Sequence, residues 1–175
     1  FPVAKEAGAD AVIAIDGVPS RLSLATRFGA DAVIDINEHP TPMARITKVK
    51  QLTQNRGADI VAEFVGVPAV VPEGLQMLRD GGTYLEIGNI SMGRTAEIDP
   101  SQLVWGTKRI QGVIMYDPWV IPEALDFLVR TREKYPHGDV VSHKFKLDDI
   151  NDAFENSEWA REGQTTKVNR AVIVP

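Results

Sequence analysis

Short apolar runs rich in β-branched residues recur along this chain, and the stretches between them have helical spacing and stop on glycine. The runs are "AVIAID" (11–16), "DAVIDI" (31–36), "DIVAEFVG" (59–66) and "RIQGVIMY" (109–116), and "TYLEIGN" (83–89) follows the Gly81–Gly82 pair. A strand that is apolar at nearly every position is buried on both faces. Such strands alternating with helices specify a parallel sheet covered on both sides, which is a doubly wound α/β fold. The helical stretches fit this reading. Residues 20–29 place Leu22, Leu24, Ala25 and Phe28 mainly on one side before Gly29. Residues 43–57 do the same with Ile46, Val49 and Leu52, and residues 68–82 with Val71, Leu75 and Leu78. In each case glycine marks the expected helix stop.

After Tyr116 the rhythm changes. Residues 118–135 form an amphipathic pattern with Pro122 in its first turn, where proline is tolerated. Residues 140–163 read as a strand, a turn and a short helix capped by Asp148 or Asp149, and "RAVIVP" (170–175) reads as a last strand. The segment "NEHPTPM" (37–43) reads as a loop. There is no internal repeat and no low-complexity segment.

The 175 residues, 43% hydrophobic and 25% charged, amount to one domain's worth of globular sequence. A net charge of −5 with acids and bases interspersed leaves no basic stripe for nucleic acid. The absence of cysteine excludes disulfides, Cys-ligated zinc and thiol catalysis from this stretch. No apolar run reaches membrane-spanning length and no signal peptide opens the chain, so a cytoplasmic location is the default expectation. The first residue is Phe1, in keeping with numbering that starts inside a longer gene product.

Asp16 closes the first apolar run and precedes Gly17. At the carboxyl edge of a dinucleotide-binding sheet, an acid in this position accepts hydrogen bonds from the adenosine ribose hydroxyls and repels a 2′-phosphate. It therefore favours NAD over NADP. Arg21, one helical turn on, can lie against adenine or help hold a 2′-phosphate. Capping of the following turn is the competing use of the same carboxylate. The segments "EFVG" (63–66) and "EIGN" (86–89) each put a glycine where the chain leaves the sheet. Glycine there permits close backbone approach to a ligand, or simply makes a turn. His39, His137 and His143 lack ligand spacing. Trp105, Trp119 and Trp159 are expected to pack between layers or domains. No nucleophile motif or Ser-His-Asp arrangement is present.

Four segments carry a family resemblance by their order and spacing: "AGADAVIAIDGVPSRLSLATRFGADAVID", "GADIVAEFVGVPAVVPEGLQMLRDGGTYLEIG", "KRIQGV" and "HKFKLDDINDAFE…NRAVIVP". Together they resemble the C-terminal, coenzyme-binding portion of the zinc-dependent medium-chain alcohol dehydrogenases. The resemblance implies a Rossmann-like doubly wound sheet that starts after the first strand and glycine loop. Residues 1–117 would belong to the dinucleotide-binding domain, and residues 118–175 to a segment returning to the catalytic domain. It implies that Asp16 binds ribose and Arg21 lies beside adenosine. Phe64, Val65 and Gly66 would form a turn near adenine, and Ile87, Gly88 and Asn89 a turn under the nicotinamide ribose. Val113 and Met115 would hold the carboxamide, and Arg170 would contact pyrophosphate. It also implies a homodimer through strand 109–116, and an alcohol or carbonyl compound as substrate.

Several features depart from the family pattern. The phosphate loop that would supply backbone donors to the pyrophosphate is not among these residues. A catalytic zinc held by two cysteines and a histidine cannot form from a chain without cysteine, so zinc is expected only in a catalytic portion outside it. On its own the chain is not expected to turn over an alcohol. In the strand order 3-2-1-4-5-6 the absent strand is the central one, flanked by strands 11–16 and 59–65. Those two strands must then pair with each other, borrow a partner's strand, or belong to a larger protein, which is the expected case. Three other readings stay open: a zinc-free NADPH-dependent quinone or enoyl reductase, which Asp16 opposes; a non-catalytic nucleotide-binding module; and a SAM-dependent methyltransferase, which "DGGTYLEIG" and "NRAVIVP" fit poorly.

Overall fold

The computed structural model describes residues 1–157 and 169–175. Seven helices and seven strands occur among them. In chain order they are α1 (Pro2–Glu6), β1 (Ile13–Asp16), α2 (Pro19–Arg27), β2 (Ala32–Asp35), α3 (Pro42–Leu52), β3 (Ala58–Glu63), α4 (Val70–Met77), β4 (Leu78–Glu86), α5 (Ser101–Trp105), β5 (Arg109–Gly112), α6 (Val120–Thr131), β6 (His143–Lys146), α7 (Ile150–Ser157) and β7 (Ala171–Val174). Every strand pairing is parallel, as the doubly apolar runs require. Among the described residues the strands pair as β1-β2, β3-β4-β5 and β6-β7.

The chain divides into two compact units, residues 1–38 with 118–175, and residues 39–117. In the first, the predicted face of α2 buries Leu22 and Ala25, and Ala14 of β1 and Ile34 of β2 are also buried. Phe28, just past α2, stacks on Tyr135 at a centroid distance of 6.5 Å, and His137 closes the same aromatic group. The Tyr135 hydroxyl donates to Glu6, which ties α1 to the segment after α6. Gly29 takes φ +89°, so the chain leaves α2 through the left-handed turn that its glycine predicts. The turn and short helix expected after strand β6 are present: Leu147–Asp149 form a 3-10 turn that runs straight into α7.

In the second unit, α3 and α4 are joined by a buried ion pair. Arg45 Nε and Nη2 donate to the two carboxylate oxygens of Glu73 at 2.6 and 2.7 Å, and Arg45 Nη1 donates to the His39 carbonyl. The core beneath consists of Val71, Leu75, Leu78 and Tyr84, with Val61, Ala96, Ile98 and Leu103 packed against it. Both helices stop short of their predicted glycines. Helix α3 ends at Leu52, which is exposed, because Gln54, Asn55 and Gly57 adopt positive φ. A Cβ on Gly57 would lie 2.7–2.9 Å from the backbone of residues 77–79, so only glycine passes there. Helix α4 ends at Met77, and β4 begins at once at Leu78, not after Gly82. Two residues of β3 span five of β4 between the pairs Ala58–Leu78 and Ile60–Thr83, so Arg79–Gly82 are taken up in a bulge.

Strand β5 covers only Arg109–Gly112 of the predicted 109–116. Trp105 and Trp119 are exposed at 88% and 61%, contrary to the packing expected of them, and Trp159 lies outside the described residues. Among the described residues, no helix is long and apolar enough to cross a membrane.

Candidate functional site

The carboxyl ends of β3, β4 and β5 are neighbours in one parallel sheet, and the turns leaving them hold most of the predicted coenzyme-binding residues of the second unit. Glu63 and Glu86, the last residues of β3 and β4, are paired across the ladder. Glu63 as a residue is only 4% exposed. Its Oε1 accepts the Val65 N–H at 2.5 Å and the Gly66 N–H at 2.6 Å, while its Oε2 accepts the Asn89 Nδ2 at 3.2 Å and, at 3.1 Å, shares the Gly88 N–H with the Glu63 backbone carbonyl at 3.0 Å. Asn89 is held a second time, its backbone N–H and Nδ2 donating to Glu86 Oε1 at 3.2 and 3.0 Å. Burial pushes the Glu63 carboxyl above the ordinary glutamate range. The Gly66 and Val65 N–H groups draw it back, and the facing Glu86 raises it further.

The glycines of these turns meet each other. A Cβ on Gly66 would lie 2.6 Å from the Gly88 carbonyl, and one on Gly88 would lie 2.5 Å from the Gly66 nitrogen. Gly66 also takes φ +76°. Close packing of one turn on the other therefore accounts for both glycines. Phe64 and Val65 leave the sheet with 68% and 62% of their surface exposed, so two apolar side chains stand uncovered at the edge. Ile87 donates its N–H to the Glu63 carbonyl, and Val113 donates its own to the Glu86 carbonyl, extending the ladder past β5. Met115 is exposed and takes φ +60°.

Asp16 and Arg21 lie together in the other unit. Asp16 Oδ1 accepts the Val18 N–H at 2.9 Å, closing the turn into α2, and Arg21 Nη1 lies 3.8 Å from Oδ2. One oxygen of the carboxylate thus caps the turn, and the other faces a partly exposed cation. The neighbouring turn locks onto this one, since Asn37 Nδ2 donates to the Gly17 carbonyl and to Asp35 Oδ1. Arg170 immediately precedes β7, and its carbonyl accepts the Ser142 and His143 N–H groups.

Sequence reasoning passed over Glu63 and Glu86. Their signal was present, because each is an acid at the end of an apolar run with a glycine two or three residues on, like Asp16 before Gly17. The chain has no cysteine, and among the described residues no group of three or more His, Asp or Glu side chains could hold a metal ion.

A family model described as zinc-binding dehydrogenase matches residues 2–130. The chain is similar to 5-exo-hydroxycamphor dehydrogenase of Pseudomonas putida, with 31% identity over 87% of this chain and 42% of that protein. It is similar also to L-threonine 3-dehydrogenase of Symbiobacterium thermophilum, with 31% identity over 99% of this chain and 46% of that one. Among solved structures, an alcohol dehydrogenase from Thermotoga maritima superposes with a TM-score of 0.87 at 25% identity, over 99% of this chain and 46% of the other. The chain thus spans less than half the length of each of these relatives.

Proposed function

The chain belongs to the zinc-binding dehydrogenase family, and from that premise we propose that it is the coenzyme-binding part of an NAD-dependent alcohol dehydrogenase. The observation that carries the choice of coenzyme is Asp16. It ends β1 with one carboxylate oxygen not engaged by the backbone, able to accept ribose hydroxyls and repel a 2′-phosphate. Bound NAD would supply the hydride acceptor. Toward it, Arg21 lies beside adenosine, and the exposed Phe64 and Val65 with Gly66 form an apolar turn near adenine. Ile87, Gly88 and Asn89 form the turn under the nicotinamide ribose. Val113 and Met115 hold the carboxamide through their backbone, and Arg170 contacts the pyrophosphate. Because the zinc ligands are not among these residues, no step of alcohol activation is assigned to them.

The proposal includes the division expected from sequence, with residues 1–117 serving the nucleotide and 118–175 returning to the catalytic part. It also includes a cytoplasmic homodimer joined through strand 109–116, and an alcohol or carbonyl compound as the substrate of the whole protein. Calorimetric titration with NAD and NADP tests the core of it. NAD should bind more tightly than NADP, and Asp16→Ala should weaken NAD roughly tenfold, as expected for losing hydrogen bonds to a charged acceptor. A preference for NADP in the unaltered protein would favour the zinc-free reductase reading instead.

A further inference from the structure

Glu63 belongs to none of the coenzyme contacts proposed above, yet it touches both turns that make them. Each of its carboxylate oxygens serves a different turn. Oε1 takes the two N–H groups of the turn leaving β3, and Oε2 takes the Gly88 N–H and the Asn89 amide of the turn leaving β4. The two turns touch through Gly66 and Gly88, so a change in either must displace the other or open this contact. A carboxylate is the one common side chain that can do this, because it offers two acceptor oxygens and no donor. Glutamine would keep one acceptor but turn an NH2 group toward the Gly88 and Asn89 donors. A carboxylate this deeply buried is costly unless its hydrogen bonds are all in place, which makes the bridged arrangement the favoured one.

We infer that Glu63 is a positioning residue for the coenzyme, a carboxylate strut that holds the adenine-side turn (64–66) and the nicotinamide-side turn (87–89) at one mutual spacing before NAD arrives. The inference rests on the proposed placement of NAD against these turns. Pre-setting two contact loops lowers the ordering cost of binding, so losing the strut should weaken affinity without removing any group that touches the ligand.

The test is titration of the intact protein with NAD, comparing the parent with Glu63→Gln and Glu63→Asp, and reading the unfolding midpoint and the amide exchange of Gly66 and Gly88 in parallel. Glu63→Asp keeps the charge and both acceptors on a side chain one methylene too short to span the turns. The expected result is a rise of about tenfold in the NAD dissociation constant for Glu63→Gln and a smaller rise for Glu63→Asp. Gly88 exchange should be faster in both, with the cooperative unfolding transition retained. If glutamine is not tolerated, the aspartate variant carries the comparison. A folded variant that binds NAD within twofold of the parent overturns the strut. A parent that binds neither NAD nor NADP overturns instead the coenzyme placement on which the strut rests.

Discussion

Asp16, Asp35, Glu63 and Glu86 each occupy the last position of a parallel strand, and each caps the turn that follows. The Val18, Asn37, Val65 and Asn89 N–H groups donate to them in that order. The chain leaves each strand with backbone donors facing away from the ladder, and a short acid satisfies them locally. An asparagine then ties each pair of turns: Asn37 between Gly17 and Asp35, and Asn89 between Glu63 and Glu86. The Glu63–Glu86 pair has a measurable consequence. In the folded state the Glu63 carboxyl holds its proton above the ordinary value of 4.5. Between that value and the raised one the folded protein binds more protons than the unfolded chain. The stabilisation is therefore full below 4.5 and is lost as pH rises through the raised value. Glu86→Gln keeps the acceptor for Asn89 and removes the facing charge. It should raise stability at neutral pH by up to about 1 kcal/mol and flatten the decline as pH rises above 4.5. Urea unfolding of both proteins across pH checks this, and superimposable profiles would refute it.

At the scale of elements, the second unit depends on the clasp between α3 and α4. Both ends of the Arg45–Glu73 pair are largely buried, with side-chain exposures of 13% and 8%, and its geometry is bidentate. Removing one partner of such a pair leaves an uncompensated buried charge, whereas replacing both by apolar groups is often tolerated. Arg45→Met should therefore destabilise the protein by about 3 kcal/mol, and adding Glu73→Leu should restore most of the loss. Chemical denaturation of the two variants decides the matter, since additive losses would show that the pair is not coupled. The exposed pairs Arg56–Asp59 and Lys5–Asp31 call for no such cost, because water screens them.

For the whole molecule, the proposed dimer is what the exposed edge predicts. Among the described residues β5 ends its sheet with one neighbour, β4, and Ile110, Ile114 and Tyr116 are 40%, 80% and 66% exposed along and beyond it. An apolar strand edge of this kind pairs with another strand unless it is covered or charged. Light scattering of the intact protein should give twice the chain mass, and Ile114→Lys should shift it toward one chain while leaving the circular dichroism spectrum unchanged. A parent that runs as a single chain at micromolar concentration would exclude this interface.

The α/β class, the parallel pairing and the buried faces of α2 and α3 were legible in the residues alone. Apolar runs and helical spacing are local patterns: β1, β2 and β5 lie within the predicted runs, and β3 begins one residue before its own. Asp16 stood out for the same local reason, as an acid closing an apolar run. Where the helices stop was less legible. The ends at Leu52 and Met77 come from left-handed residues that no glycine marks, and from a bulge that depends on how β4 lies against β3. Glu63 was passed over because its importance comes from what lies opposite. Only the register of β3 on β4 sets it facing Glu86 and brings the Gly88 and Asn89 donors to its second oxygen. Composition and periodicity carry the identity of each element; register joins residues distant in sequence, and the tertiary structure alone decides it.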